Sequence, residues 1–554
     1  MTTKLIIIGG VAGGATAAAR ARRIDETAEI ILFERGEHIS FANCGLPYYI
    51  GEVITKRNDL FVTTTEAFSK RYRVDVRVFS EVKTIDRKNK MVEIIDQENG
   101  KLYRENYDKI ILSPGAAPIK PPLQGIDLDR IFHLRNIPDS DRIKGYVDLQ
   151  QPKSAVIIGG GFIGLEMAEN LRHRGLKVTV LELLDQVLAP LDFEMAAIVQ
   201  THLEDHGIIC DLGNGVKSFS ENENGLVVNT NKGYGIECDM AILSIGVSPE
   251  NRLAKEAGLE IGERGGIRVD ATMRTSDPHI YAVGDAVEVR DLITGLPTMT
   301  PLAGPANKQG RIAADNALGR KSIFSGTQGT AIVKVCDLTI ATTGASEKRL
   351  RQDQIPCLCS YTHSNSHASY YPDATTLSVK LVFSPVDGQI LGSQIIGREG
   401  VDKRIDVLAT AVRARMTVYD LEELELAYAP PYSSAKDPVN MAGFVAANIL
   451  KGDLETILWD GIDELDPDHY QLIDLRDRIE LKMEGFIRGG LHIPVNNLRD
   501  RLNQLDPDKT YIPYCAVGYR GYLAHRILVQ NGFRSLNLSG GIKTYKDARK
   551  EVVK

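Results

Sequence analysis

The stretch AVIIGGGFIG, Ala155 to Gly164, decides the fold. Four apolar residues, Ala155 to Ile158, read as a short buried strand that stops at a glycine. Gly159, Gly161 and Gly164 then occupy the three glycine positions of G-x-G-x-x-G. A helical stretch, LEMAENLRHRG, follows, and a second strand, KVTVLE, ends at Glu182. Strand, glycine turn, helix, strand and acid, in that order, describe a dinucleotide-binding unit. The glycines let a helix N-terminus approach a pyrophosphate closely, and the acid accepts hydrogen bonds from a ribose.

The same order occurs once before. Leu5 to Ile8 leads into GGVAGG, Gly9 to Gly14, then ATAAARARRI, then EIILFE ending at Glu34, twenty residues past Gly14. Here Val11 stands at the middle glycine position. Two further stretches, YDKIILSPGAAP (Tyr107 to Pro118) and CDMAILSIGVSPEN (Cys238 to Asn251), read as the strands leaving each unit. The free 2′-hydroxyl of NADH suits Glu182, and no arginine directly follows it, so NADH is favoured over NADPH. His173 and Arg174 close the intervening helix, where they cap carbonyls rather than read a 2′-phosphate.

With TSDPHIYAVGDA, Thr275 to Ala286, these motifs resemble the pyridine nucleotide-disulfide oxidoreductases. The resemblance covers about Met1 to Leu450 and implies an α/β fold with two Rossmann-like domains. The FAD-binding domain is expected at 1–115 and 250–325, interrupted by the NAD(P)H-binding domain at 116–249. An α+β dimerisation domain is expected at 326–450. By motif position, FAD contacts fall to Gly9, Gly10, Ala12, Gly13, Gly14, Glu34, Arg35, Ser113, Gly115, Asp285 and Ala303. Asp285 inherits the bond to the ribityl chain. Nicotinamide cofactor contacts fall to Gly159, Gly161, Phe162, Ile163, Gly164, Glu182 and Gly246.

In SFANCGLPYY, Ser40 to Tyr49, Gly45-Leu46-Pro47 follows Cys44 where a pair of redox cysteines would need its second thiol. A single thiol must cycle through a mixed disulfide, a persulfide or a sulfenic acid. The stretch resembles the single-cysteine branch of the family, and within it the coenzyme A-disulfide reductases. Oxygen- and peroxide-reducing members of that branch carry a histidine in the first glycine turn; the matching position here is Ala12. The resemblance assigns Tyr370 and Tyr428, reaching in from the other subunit of a homodimer, to catalysis beside Cys44. It assigns coenzyme A contacts to Arg20, Arg23, Ser40, Asn43, Arg71, Asn307 and Lys436, with the residue type at Arg20 differing from the family.

After about Asp460 the composition changes. YQLIDLR, GFIRGGLHIP and CAVGYRG resemble the hallmarks of rhodanese domains, expected at 460–554 with an α/β fold. A cysteine opening a glycine loop before a helix faces several backbone N–H groups, and with Arg520 these stabilise a thiolate or persulfide at Cys515. Its sulfur is expected to be exposed.

The chain of 554 residues carries a net charge of −7, so no global field favours nucleic acid or a membrane surface. Its seven cysteines are odd in number and unpatterned, which points to a reducing cytoplasm. MTTKLIIIGG has no signal-peptide pattern, and no apolar run approaches the roughly 20 residues of a membrane span. Cys357, Cys359, His363 and His367 match no zinc spacing, and no metal is expected. The combined reading is a FAD-dependent NAD(P)H oxidoreductase that reduces coenzyme A disulfide and coenzyme A persulfide or polysulfide through Cys44, fused to a sulfur-transfer site. Two other readings stay open: an oxygen-reducing NADH oxidase with an accessory rhodanese, and a persulfide or redox sensor.

Overall fold

The computed structural model describes residues 2–223 and 225–553. They form two compact units: residues 1–185 with 207–327, and residues 186–206 with 328–554.

The first unit contains two parallel five-stranded sheets of one design. In the first, Ile280–Ala282, Lys109–Leu112, Lys4–Ile8, Glu29–Phe33 and Asp75–Arg77 lie side by side in that order. In the second the matching order is Ile131–His133, Met240–Leu243, Ser154–Ile158, Lys177–Leu181 and Ile209–Asp211. Each first strand is buried along most of its length, as expected where both faces of a parallel sheet are covered. Each sheet has an antiparallel three-stranded companion, 80–106 and 216–238. The helices Ala12–Ile24 and Ala303–Ala317 meet backbone to backbone, since a Cβ on Gly310 would stand 2.4 Å from the carbonyl oxygen of Gly13.

The second unit holds an antiparallel sheet ordered Ala331–Val335, Leu338–Gly344, Ile390–Gly397, Thr376–Phe383 and Leu358–Asn365. Helices Val401–Ala414 and Pro438–Leu450 pack on it. A smaller parallel sheet follows, ordered Leu491–His492, Tyr470–Asp474, Thr510–Tyr514 and Arg534–Ser535. The two sheets are joined by direct bonds: Tyr361 N–H donates to Ser539 Oγ (3.3 Å), and His363 Nε2 bonds Thr544 Oγ1 (2.8 Å). His363 also bonds Ser378 Oγ at 3.0 Å, and desolvation drives its pKa down to about 3, so it is neutral. His367 bonds Ser366 Oγ and the Pro372 carbonyl oxygen.

Residues 186–206 follow the second parallel sheet's acid strand in sequence, yet they belong to the C-terminal unit. The cause is a buried charge cluster. Lys380 Nζ, 1% exposed, contacts Asp192 (2.9 Å), Glu194 (2.6 Å) and Glu347 (2.7 Å). Gln394 adds an amide bond to Asp192 at 2.7 Å, and Tyr361 O–H donates to Glu194 at 2.9 Å. Removing one partner of a buried ion pair leaves the others uncompensated, which costs about 3–5 kcal/mol. Lys380→Met is therefore expected to destabilise this unit by about 3–5 kcal/mol, read as a fall in the urea midpoint of its unfolding transition.

Candidate active site

The two glycine turns are built by steric exclusion. Gly9 (φ +99°) and Gly159 (φ +106°) are left-handed, and a Cβ there would lie 2.1 Å from Ser113 O and 2.4 Å from Ser244 O. At Gly14 and Gly164 a Cβ would meet the carbonyl oxygens of Gly9 and Gly159 at 1.8 and 2.0 Å. Gly161 is different: its φ is an ordinary −78°, and nothing lies within 4 Å of an added Cβ. The protein itself does not need glycine there, whereas a close-lying ligand does. The helices that open at Ala12, Phe162 and Ala303 have no side-chain cap and no acid in their first turn. Their free N–H groups fit the phosphates of dinucleotides.

At each turn the predicted acid closes the site. Glu34 accepts from Gly10 N–H (2.8 Å) and Gly36 N–H (2.9 Å). Glu182 accepts from Gly160 N–H (2.6 Å) and Leu184 N–H (2.9 Å). Ser113 and Gly115 leave the first sheet, and Gly246 (φ +111°) holds the matching place after the second. Gly13 lies against Ser113 and Val283, and Ile163 is exposed. Arg35 pairs with Glu250 at 2.7 Å. Asp285 sits in the turn Gly284–Ala286, where burial pushes its carboxyl pKa up. These residues fit FAD at the first turn and a nicotinamide dinucleotide at the second.

Cys44 lies in the 3₁₀ turn Asn43–Gly45, just ahead of the short helix Leu46–Ile50, and is exposed. Desolvation, then the carboxylates of Glu166 and Asp285, push its thiol pKa up. Two residues beside it went unnoticed in the sequence. Glu166 accepts a hydrogen bond from Tyr48 O–H at 3.2 Å. Burial raises the Glu166 pKa to about 7, with Glu169 adding and Tyr48 opposing. Tyr48 is four positions past Cys44, but Glu166 lies 118 residues beyond Tyr48, so no local spacing pointed to the pair.

The coenzyme A candidates of this unit spread over its surface. Ser40 (φ +49°) and exposed Asn43 flank Cys44. Asn307 accepts from Thr16 O–H at 2.6 Å across the helix pair. Arg20 is held by Asp315 at 2.8 Å, while Arg23 and Arg71 are exposed. The structure thus keeps Arg20 and Arg23 on one helix and ties Arg20 to a carboxylate.

Tyr370, Tyr428 and Lys436 belong to the second unit, and all three are exposed. The tyrosine hydroxyls bond each other at 2.8 Å although 58 residues separate them. Tyr428 and Tyr432 border a cavity of about 480 Å³ that also carries Glu399 and Lys403.

Cys515 follows the strand Thr510–Tyr514 and precedes the helix Tyr519–Gln530. Gly518 (φ +100°) turns the loop, and its N–H donates to Cys515 Sγ at 3.2 Å. The expectation of an exposed sulfur is corrected: Cys515 is 1% exposed. Ile542 N–H bonds the Cys515 carbonyl oxygen (2.8 Å) and Lys543 N–H that of Ala516 (3.0 Å), so the chain after Gly540 backs the loop. Val517 and Tyr519 are the exposed residues of the loop. Arg520 makes a bidentate pair with Glu480 (2.7 and 2.6 Å), which holds the Glu480 pKa down to about 2. Glu480, then the charge of Cys515, raises the Arg520 pKa against its desolvation. Behind the loop, Arg476 and Asp474 form a buried pair at 2.7 Å.

Two outcomes are expected from this geometry. Glu166→Gln removes a carboxylate charge that faces Cys44, so Cys44 should alkylate roughly threefold faster at pH 8, followed by peptide mass spectrometry. Glu480 stays ionised until the pH falls toward its folded value of about 2. Its pair with Arg520 should therefore stabilise the C-terminal sheet fully above the ordinary carboxylate range. The contribution should fade only as acid passes from the unfolded pKa near 4.5 toward about 2, and Glu480→Gln should remove that part of the acid-melting profile.

Family comparisons agree with the architecture. The pyridine nucleotide-disulphide oxidoreductase model matches residues 3–310, its dimerisation domain matches 330–438, and the rhodanese-like domain matches 456–548. A coenzyme A disulfide reductase of Staphylococcus haemolyticus is 35% identical over 447 residues, spanning 80% of this chain and 100% of that one. The crystal structure of reduced CoADR-RHD from Bacillus anthracis superposes with a TM-score of 0.97 at 51% identity, covering 99% of this chain and 98% of that one. An NAD-dependent persulfide reductase from A. fulgidus matches with a TM-score of 0.91 at 36% identity, covering 98% of this chain and 100% of that one. Glycine turns, the acids that close them and domain matches together place the chain in the FAD- and NAD(P)H-dependent pyridine nucleotide-disulfide oxidoreductase family, with a rhodanese-like domain at its C-terminal end.

Proposed function

We propose that this oxidoreductase reduces coenzyme A disulfide and coenzyme A persulfide or polysulfide through Cys44, and that Cys515 is a sulfur-transfer site. The observation that carries the reading is the lone exposed thiol of Cys44, with no other cysteine until position 210. Its sulfur partner must then come from substrate. Similarity to a coenzyme A disulfide reductase and to a persulfide reductase, both over nearly their full lengths, supports that choice.

Bound FAD supplies the two reducing electrons, drawn from a nicotinamide dinucleotide, with NADH favoured by Glu182. Cys44 as thiolate attacks a disulfide sulfur of coenzyme A disulfide and expels one coenzyme A thiolate. A mixed disulfide between Cys44 and the second coenzyme A remains, and two electrons return both sulfurs to thiolates. With coenzyme A persulfide the same attack, at the sulfur bonded to carbon, expels hydrosulfide. Glu166, whose pKa is about 7, and Tyr48 hold a proton beside these sulfurs. Arg23, Arg71, Ser40, Asn43 and Asn307 bind the coenzyme A moiety. Tyr370, Tyr428 and Lys436 complete the site from the partner subunit of a homodimer. The domain division is proposed as 1–115 with 250–325 for FAD, 116–249 for NAD(P)H, 326–450 for dimerisation and 460–554 for the rhodanese. No helix among the described residues is long and apolar enough to cross a membrane, and a cytoplasmic setting suits the free thiols.

The test is anaerobic NADH oxidation by wild type, Cys44→Ser and Cys515→Ser, with each coenzyme A substrate separately. Cys44→Ser should lose roughly three orders of magnitude or more on both substrates. Cys515→Ser should spare both and lose sulfur transfer from thiosulfate. Comparable turnover with oxygen alone, to which neither sulfur substrate adds, would replace the reductase by an oxidase. Turnover too slow to sustain flux on any of them would favour a sensor.

A further inference from the structure

We propose that His202, His206 and Asp337, none of them assigned to the redox chemistry, form a binding site for a divalent transition-metal ion of the zinc class. His202 and His206 stand four residues apart on the helix Phe193–Asp205 and its C-cap. That spacing puts two imidazoles on one face, one turn apart. Asp337 comes from the tight turn that joins Ala331–Val335 to Leu338–Gly344. One ligand atom from each of the three lies within 4.8 Å of the others.

The separations decide whether one ion can join them. His202 Nε2 is 2.7 Å and His206 Nε2 3.7 Å from Asp337 Oδ1. Ligand atoms bonded to zinc at about 2.0–2.1 Å stand roughly 3.3 Å apart at the corners of a tetrahedron. Two of the separations bracket that value, and the third is within 4.8 Å.

Three features arrange the nitrogens and the oxygen about a common point. His206 Nδ1 bonds the His202 carbonyl oxygen at 2.8 Å. That oxygen only accepts, so Nδ1 carries a proton and Nε2 is the ring atom turned to the cluster. His202 Nε2 is shielded from solvent and faces Asp337 Oδ1 at 2.7 Å. Arg398 Nε lies 3.3 Å from the other oxygen, Oδ2, which orients the carboxylate and leaves Oδ1 toward the imidazoles. Two imidazoles and one carboxylate are a borderline-hard set that suits Zn²⁺, with water at the fourth position. The ion would clip the 186–206 segment to the sheet turn it packs against.

The test uses the full-length holoenzyme, stripped with a chelator and titrated with Zn²⁺ by calorimetry. A crystal soaked in Zn²⁺ gives the second readout, anomalous density at the zinc edge. Expected are one saturable site per chain, density between the three side chains, and a zinc-dependent rise in melting temperature. His206→Gln and Asp337→Asn should each weaken binding at least tenfold and abolish the melting shift. Cys336→Ser should leave the site intact. Absence of saturable binding below millimolar Zn²⁺ would overturn the proposal. So would binding that survives both ligand substitutions, or density at cysteine sulfurs instead. Because His206 and Asp337 are surface residues, the variants are expected to fold.

Discussion

The structure depends on two places where a side chain does not fit. At Gly14 and Gly164 the helix that follows each first strand presses against the carbonyl oxygen of the glycine that opens the turn. Any Cβ would push the helix away, and with it the uncapped N–H groups of its first turn. The same contact fixes where each first strand ends, hence where Glu34 and Glu182 meet the turn. Everything assigned to cofactor binding hangs from these two backbone contacts. Gly161 adds a complementary clue, a glycine that no protein atom requires.

Around this duplicated frame the chemistry is divided between two sulfurs with opposite settings. Cys44 is exposed, in a turn beside carboxylates that disfavour its thiolate. Bound cofactor and substrate must offset that cost. Cys515 is buried, in a loop that presents a backbone N–H to its sulfur and an arginine held by Glu480. Its small domain is bonded to the antiparallel sheet through Ser539 and Thr544, so the Cys515 loop rests on that sheet rather than on a loose tether.

The fold was legible because its signals are local: glycine spacing, apolar runs and an acid at a strand end all lie within about thirty residues. The positions of Cys44 and Cys515 were legible for the same reason. What escaped was carried by contacts between distant residues. Tyr48 and Glu166 are 118 residues apart, and Lys380 and Glu194 are 186 apart, so nothing local announces either pair. The burial of Cys515 was misjudged because the segment covering it, from Gly540 to Lys543, arrives only after another helix and two short strands. The resemblance assigns Arg20 to coenzyme A, and its partner Asp315, 295 residues on, was not visible locally.

The claim at the centre is that the sulfur partner of Cys44 is coenzyme A. Peptide mass spectrometry of the oxidised holoenzyme, after incubation with coenzyme A disulfide and removal of excess, tests it most directly. One coenzyme A in disulfide linkage is expected on the peptide that carries Cys44, discharged on adding NADH. An unmodified Cys44 peptide, an adduct that NADH leaves in place, or an adduct only on Cys515 would contradict it.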